Sequence, residues 1–73
     1  SQVWTEKRVL DEMEAKHEKL ALLGMLGYDL TWHRYIYKTR LKRALEKLEE
    51  AGLQETETYE RVVTNLRFIE TMD

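Results

Sequence analysis

The sequence predicts an all-α fold, a three-helix up-down-up bundle with two long helices and a shorter C-terminal third. The 73 residues contain no proline and only three glycines, a composition that suits helices. Apolar residues recur at alternating steps of three and four along three stretches, separated by short polar breaks. No stretch shows the two-residue alternation of a strand. We therefore expect one domain over residues 1–73, with helices at about 3–23, 29–51 and 57–72.

The first predicted helix, over about residues 3–23, carries an apolar seam. The charged residues around the seam, Glu6 among them, are expected to form a solvated face. Gly24 is predicted to cap this helix, with Met25 folding back on Leu20. The alternative is one continuous helix through Gly24 and Gly27, since a helical glycine costs only about 1 kcal/mol. We favour the turn because a hairpin lets a short chain bury its own seam. The seam consists of Leu10, Met13, His17, Leu20 and Gly24, widened by Val9 and Ala21.

The second predicted helix, over about residues 29–51, has a defined start and a defined stop. Asp29 or Thr31 can supply the oxygen that caps its first turn. Gly52 is expected in the left-handed conformation just past the helix, with Leu53 folding back on the last turn. Its apolar face consists of Tyr37, Leu41, Ala44, Leu48 and Ala51.

The third predicted helix, over about residues 57–72, follows a short polar break. Thr56 is expected to cap it, and Glu57 is favourable in its first turn. Short connections make sequential helices antiparallel neighbours. Its apolar face consists of Tyr59, Val62, Val63, Leu66 and Ile69, with Met72 or Phe68 as a further member.

The unequal helix lengths predict an uncovered end of the bundle. A third helix of roughly 16 residues, started beside Gly52 and run back along the second helix, should end near Ile36. The apolar and aromatic residues beyond that point have no third helix over them, and such surfaces are typical of interfaces. The alternative is that these aromatics complete a small intramolecular core. The predicted partner-binding residues are Leu22, Met25, Leu26, Tyr28, Trp32 and Tyr35.

These features favour a non-enzymatic protein–protein interaction module (a small adaptor, inhibitor or assembly domain) that forms a homodimer through the end around Tyr28–Tyr37. The alternative is a nucleic-acid-binding protein that uses a basic ridge between Arg34 and Lys47. Cations hold phosphates and aromatic rings stack on bases. An ordinary solvated face, or pairing with the acids of the first helix, explains the same residues. The nucleic-acid candidates are His33, Arg34, Lys38, Arg40, Lys42, Arg43 and Lys47.

The sequence contains few features that support another class of function. The chain has no cysteine, which rules out a disulfide framework and fits an intracellular, cytoplasmic protein. Glu14 and His17 have the spacing of a bundle di-metal site, but the second such pair is missing. The apolar run Leu20–Leu23 is far short of the roughly 20 residues that span a membrane. We therefore expect no catalytic residue, no metal, no cofactor and no membrane contact.

Overall fold

Three helices follow one another along the chain: α1 (Gln2–Met25), α2 (Thr31–Glu50) and α3 (Glu57–Glu70). The computed structural model describes residues 2–71, so the predicted end of the last helix at Met72 lies outside the described residues. The predicted all-α, three-helix fold is confirmed. The longest helix is α1, because it continues to Met25 whereas α2 begins only at Thr31.

The core lies where all three helices overlap. Its side chains are spaced by three, four or seven residues along each helix, as expected for faces that point at a common axis. Burying one such leucine stabilises the fold by roughly 1.5–3 kcal/mol. The predicted members Ala21, Ala51 and Phe68 are exposed instead. Phe68 follows Arg67 and precedes the buried Ile69, and that position turns its ring off the apolar stripe. The buried apolar residues are Leu10, Met13, Leu41, Ala44, Leu48, Val62 and Ile69.

One charged residue of α1 is buried, contrary to the predicted solvated face. The Glu6 side chain is only 3% exposed, and its Oε1 accepts a hydrogen bond of 2.9 Å from Nε2 of Gln2. A buried polar group costs free energy unless it is hydrogen-bonded. The bond from the Gln2 amide therefore offsets part of the cost of burying Glu6.

The turn after α1 is built on Gly27, and the predicted cap at Gly24 is wrong. Gly27 has φ +93°. The Tyr28 N–H donates to the Leu23 carbonyl at 3.2 Å, and the Gly27 N–H donates to the Gly24 carbonyl at 3.0 Å. This pair of bonds is the Schellman ending of a helix. The alternative of one continuous helix is wrong for the same reason.

Gly24 has a different role inside α1. A Cβ atom added there would lie 3.0 Å from Cδ1 of Leu30. The missing side chain therefore lets the residue before α2 approach the backbone of α1. This contact holds the two helices together beyond the core.

Both ends of α2 use the residues that the sequence indicates. The Asp29 carboxylate accepts hydrogen bonds from the N–H of Thr31 at 3.0 Å and from its hydroxyl at 2.7 Å, and these bonds lower the pKa of Asp29. Leu30 itself occupies the cap position.

At the other end of α2, Gly52 has φ +71°, and the Leu53 N–H donates to the Leu48 carbonyl at 2.9 Å. The predicted glycine stop is confirmed.

α3 begins at the predicted cap and runs antiparallel to α2. The Thr56 hydroxyl oxygen accepts a 3.2 Å hydrogen bond from the Tyr59 N–H. The Tyr59 hydroxyl donates to Oε2 of Glu49 at 2.8 Å, which raises the pKa of the tyrosine. The start of α3 is thereby tied to the end of α2.

The left-handed conformation of Gly52 gives a direct test of the α2 stop. We expect Gly52→Ala to lower the free energy of unfolding by about 1 kcal/mol, because a Cβ disfavours positive φ. In a domain of this size that corresponds to roughly 4–8 °C in melting temperature. Thermal and urea unfolding followed by circular dichroism measures the change. Gly52→Asn is the control, since asparagine tolerates this conformation better, and equal losses in both variants would contradict the stop.

Candidate functional site

The six predicted partner-binding residues form an exposed surface at one end of the molecule, called the apolar end from here on. Their exposed fractions run from 60% for Tyr35 to 84% for Met25. The rings of Trp32 and Tyr35 stack with centroids 5.7 Å apart. The alternative of a small intramolecular core is wrong, because none of the six is buried. The homodimer remains a prediction. The apolar end consists of Leu22, Met25, Leu26, Tyr28, Trp32 and Tyr35.

A groove lies between the projecting ends of α1 and α2, next to the apolar end. Its floor is apolar, and three side chains with basic nitrogens stand at its sides: His17, His33 and Arg34. All three are half-buried. Sequence reasoning placed His17 in the seam and the other two in a basic ridge, and it did not bring them together. The groove is lined by His17, Leu20, Ala21, Gly24, Met25, Leu30, His33 and Arg34.

A narrower crevice lies between the same two helices, closer to the core. The rings of His17 and Tyr37 pack there with centroids 4.8 Å apart. Burial raises the pKa of Tyr37, and the negative charge of Glu14 adds to the effect. The crevice is lined by Met13, Lys16, His17, Leu20, His33, Ile36, Tyr37 and Arg40.

Arg61 joins α3 to α1 through an ion-pair cluster that the sequence analysis missed. Its Nε donates to Oε2 of Glu14 at 2.8 Å, and a terminal nitrogen donates to Oδ1 of Asp11 at 2.8 Å. The bond to Glu14, followed by that to Asp11, raises the pKa of Arg61. The three-residue spacing of Asp11 and Glu14, which places both on one helix face, is the signal that could have found it. Glu14, one member of the Glu14–His17 pair that the sequence singled out, is thus held by Arg61.

The predicted basic ridge is divided between two sides of α2. His33, Arg40 and Lys47 are spaced by seven residues and share one side. Arg34, Lys38 and Lys42 are spaced by four and share another. Arg40, Lys42, Arg43 and Lys47 are exposed, whereas His33, Arg34 and Lys38 are half-buried. Arg43 lies three residues after Arg40 and four before Lys47, so it belongs to the first side, and the predicted residues occupy two sides of α2.

Residues 2–71 contain no group of three or more His, Asp or Glu side chains that is placed to hold a metal ion. None of the three described helices combines the length and the apolar character that crossing a membrane requires.

Comparison with known proteins relates the chain to an enzyme. It is 33% identical over 69 residues to the glycosyltransferase GlyA of Streptococcus pneumoniae, a match that covers 94% of this chain and 10% of the relative. The chain thus spans about a tenth of the length of that relative. No protein-family model and no solved structure matches the chain.

The match corrects the function predicted from the sequence. The prediction of a non-enzymatic adaptor, inhibitor or assembly domain is wrong, and so is the exclusion of an enzyme, because the relative is a glycosyltransferase. The match gives no support to the nucleic-acid alternative either. The 73 residues show no spacing typical of a catalytic set. A segment equivalent to a tenth of an enzyme need contain no catalytic group.

The exposure of the apolar end can be measured by fluorescence. The chain has two tryptophans, so a Trp4→Phe variant reports on Trp32 alone. We expect acrylamide to quench Trp32 nearly as strongly as a free indole, because the ring is 66% exposed. Quenching that weakens as protein concentration rises would show that a second copy covers the ring. Strong protection at the lowest concentration would contradict the exposed position.

The Arg61 cluster predicts a second measurable effect. We expect Arg61→Met to lower the free energy of unfolding by about 1 kcal/mol, since it leaves the half-buried Glu14 without its charged partner. Arg61→Lys should recover only part of the loss, because an ammonium does not reproduce the forked guanidinium. Urea unfolding measures both. Arg67→Met, at an exposed position of the same helix, is the control, and an equal loss there would contradict a specific role for Arg61.

Proposed function

We propose that this chain is a helical module of a larger glycosyltransferase and that its apolar end packs against another part of that enzyme. The observation that carries the proposal is the match itself, which takes in 94% of this chain but only 10% of the glycosyltransferase. We assign the sugar-transfer chemistry to the remainder of the enzyme and a supporting, positioning role to the helices.

The exposed apolar end supports a packing role inside a larger protein. Six large apolar or aromatic side chains of α1, of α2 and of the turn between them are exposed. A contiguous apolar surface is seldom left bare in a stable protein. Burying a side chain of this class contributes roughly 1.5–3 kcal/mol, so covering even half of them would hold the module firmly.

The proposal includes an intracellular, cytoplasmic location. The cysteine-free sequence supports it, because disulfides are characteristic of oxidising compartments.

A chimaeric enzyme tests the proposal. The segment of the Streptococcus pneumoniae glycosyltransferase that matches this chain is replaced by the chain itself, and transfer activity and melting temperature are compared with those of the parent enzyme. We expect the chimaera to stay active. We expect Trp32→Ser within it to lower the melting temperature, because a ring buried between two parts of the enzyme is lost.

Trp4→Ser is the matched control, because Trp4 is exposed to a similar degree, 61% against 66%, but lies at the other end of α1. Equal effects of the two substitutions would contradict packing through the apolar end. Sugar transfer by the isolated 73-residue chain at the rate of the whole enzyme would contradict a supporting role.

A further inference from the structure

We propose that the groove between the projecting ends of α1 and α2 binds an acidic amphipathic helix supplied by another part of the larger glycosyltransferase. The source of that helix rests on the function proposed above. The shape and charge of the groove rest only on this chain.

The shape of the groove is that of a site for a helix. Ala21 lies two turns beyond Glu14 on α1, and Arg34 lies two turns before Leu41 on α2, so each pair shares one helix face. Glu14 is held by Arg61 of α3, and Leu41 is buried in the core with residues of α3. The groove therefore lies on the same faces of α1 and α2 that α3 covers closer to the core. It begins beyond the end of α3.

The apolar lining of the groove suits the apolar stripe of a helix. It consists of Leu20, Ala21, Gly24, Met25 and Leu30, and Met25 belongs to the apolar end as well. Gly24 has no Cβ, and one added there would lie 3.0 Å from Cδ1 of Leu30. The lining is thus apolar, as in grooves that receive amphipathic helices through side chains spaced by three and four.

The charge of the groove is opposite to that beside α3. Closer to the core, Asp11 and Glu14 of α1 form ion pairs with Arg61 of α3. In the groove the polar lining residues within the described part of the chain are His17, His33 and Arg34, with no carboxylate among them. A helix that fits here therefore carries carboxylates at the position where α3 carries arginine.

Arg34 is the residue best placed to recognise such a helix. Its half-buried guanidinium can donate two parallel hydrogen bonds to one glutamate, and each neighbouring imidazole can donate one more. Asp29 is close enough for the charge of Arg34 to contribute to lowering its pKa. Both hydrogen bonds from Thr31 fall on Oδ1 of Asp29, so a glutamate brought by a partner competes with Asp29 for the Arg34 guanidinium.

A pair of designed peptides tests the proposal with the 73-residue chain alone. The first has the 14-residue length of α3, a leucine and alanine stripe, and glutamates beside the stripe. The second has lysine in place of every glutamate. Titration calorimetry at constant ionic strength measures both. We expect the glutamate peptide to bind at least about tenfold more tightly, a difference of about 1.4 kcal/mol.

Charge reversal in the groove should reverse that preference. We expect Arg34→Glu to weaken the glutamate peptide at least about tenfold and to strengthen the lysine peptide. Arg43→Glu is the matched control, because it makes the same charge change on the same helix at an exposed position that does not line the groove. It should change neither affinity by more than about twofold.

Several results would overturn the proposal. They are equal binding of the two peptides, equal effects of Arg34→Glu and Arg43→Glu, and displacement of the glutamate peptide by inorganic phosphate at a matching concentration, which would indicate a small-anion site. Self-association of the chain that Arg34→Glu abolishes would make a second copy the occupant. The chimaera separates the two proposals. An inactive chimaera, together with an intact preference for the glutamate peptide, would contradict only the proposed role in a glycosyltransferase. An active chimaera, together with no such preference, would contradict only the proposed helix-binding groove.

Discussion

The length of α3 is the constraint on which the rest of this molecule depends. Its 14 residues span about 21 Å, whereas the 24 residues of α1 span about 36 Å. Within residues 2–71, all seven buried apolar side chains lie in α1, α2 or α3 where the three helices overlap. The remaining length of α1 and α2 is held together by contacts such as that between Gly24 and Leu30. A groove and an exposed apolar end are the direct consequence.

The glycines control how that extra length is used. Gly27 and Gly52 both take positive φ and end a helix in the same hydrogen-bonded motif, so the two reversals of the chain are fixed locally. Gly24, three residues before Gly27, stays helical and lets Leu30 approach the backbone of α1. A Cβ atom at this position would lie 3.0 Å from Cδ1 of Leu30, so the end of the leucine side chain would have to shift by a few tenths of an ångström.

Much of this fold could be predicted from the sequence, because it depends on local signals. The stop at Gly52, the cap at Thr56 and the spacing of Leu41, Ala44 and Leu48 each act within one or two turns of a helix. What could not be predicted depends on how the helices dock. Which of the two glycines, Gly24 or Gly27, ends α1 depends on where Leu30 packs. The Arg61 cluster joins residues that are 47 and 50 positions apart in the sequence. The exposed residues of the apolar end followed from helix lengths alone, whereas the groove beside them required the faces of two helices to be placed against each other.

The change of charge along the α1–α2 groove bears on what kind of protein this is. Beside α3 the groove is acidic and filled, and beyond α3 it is basic and open. A self-sufficient bundle would gain little from a half-buried arginine, Arg34, beside an apolar lining, since removing a cation from water without a close partner costs free energy. The arrangement is favourable once a second element brings carboxylates and an apolar stripe together. An open groove of this kind agrees with a match that spans nearly all of this chain but a tenth of a glycosyltransferase. A module that is one part of a larger enzyme is expected to be incomplete at the surface where the other parts meet it.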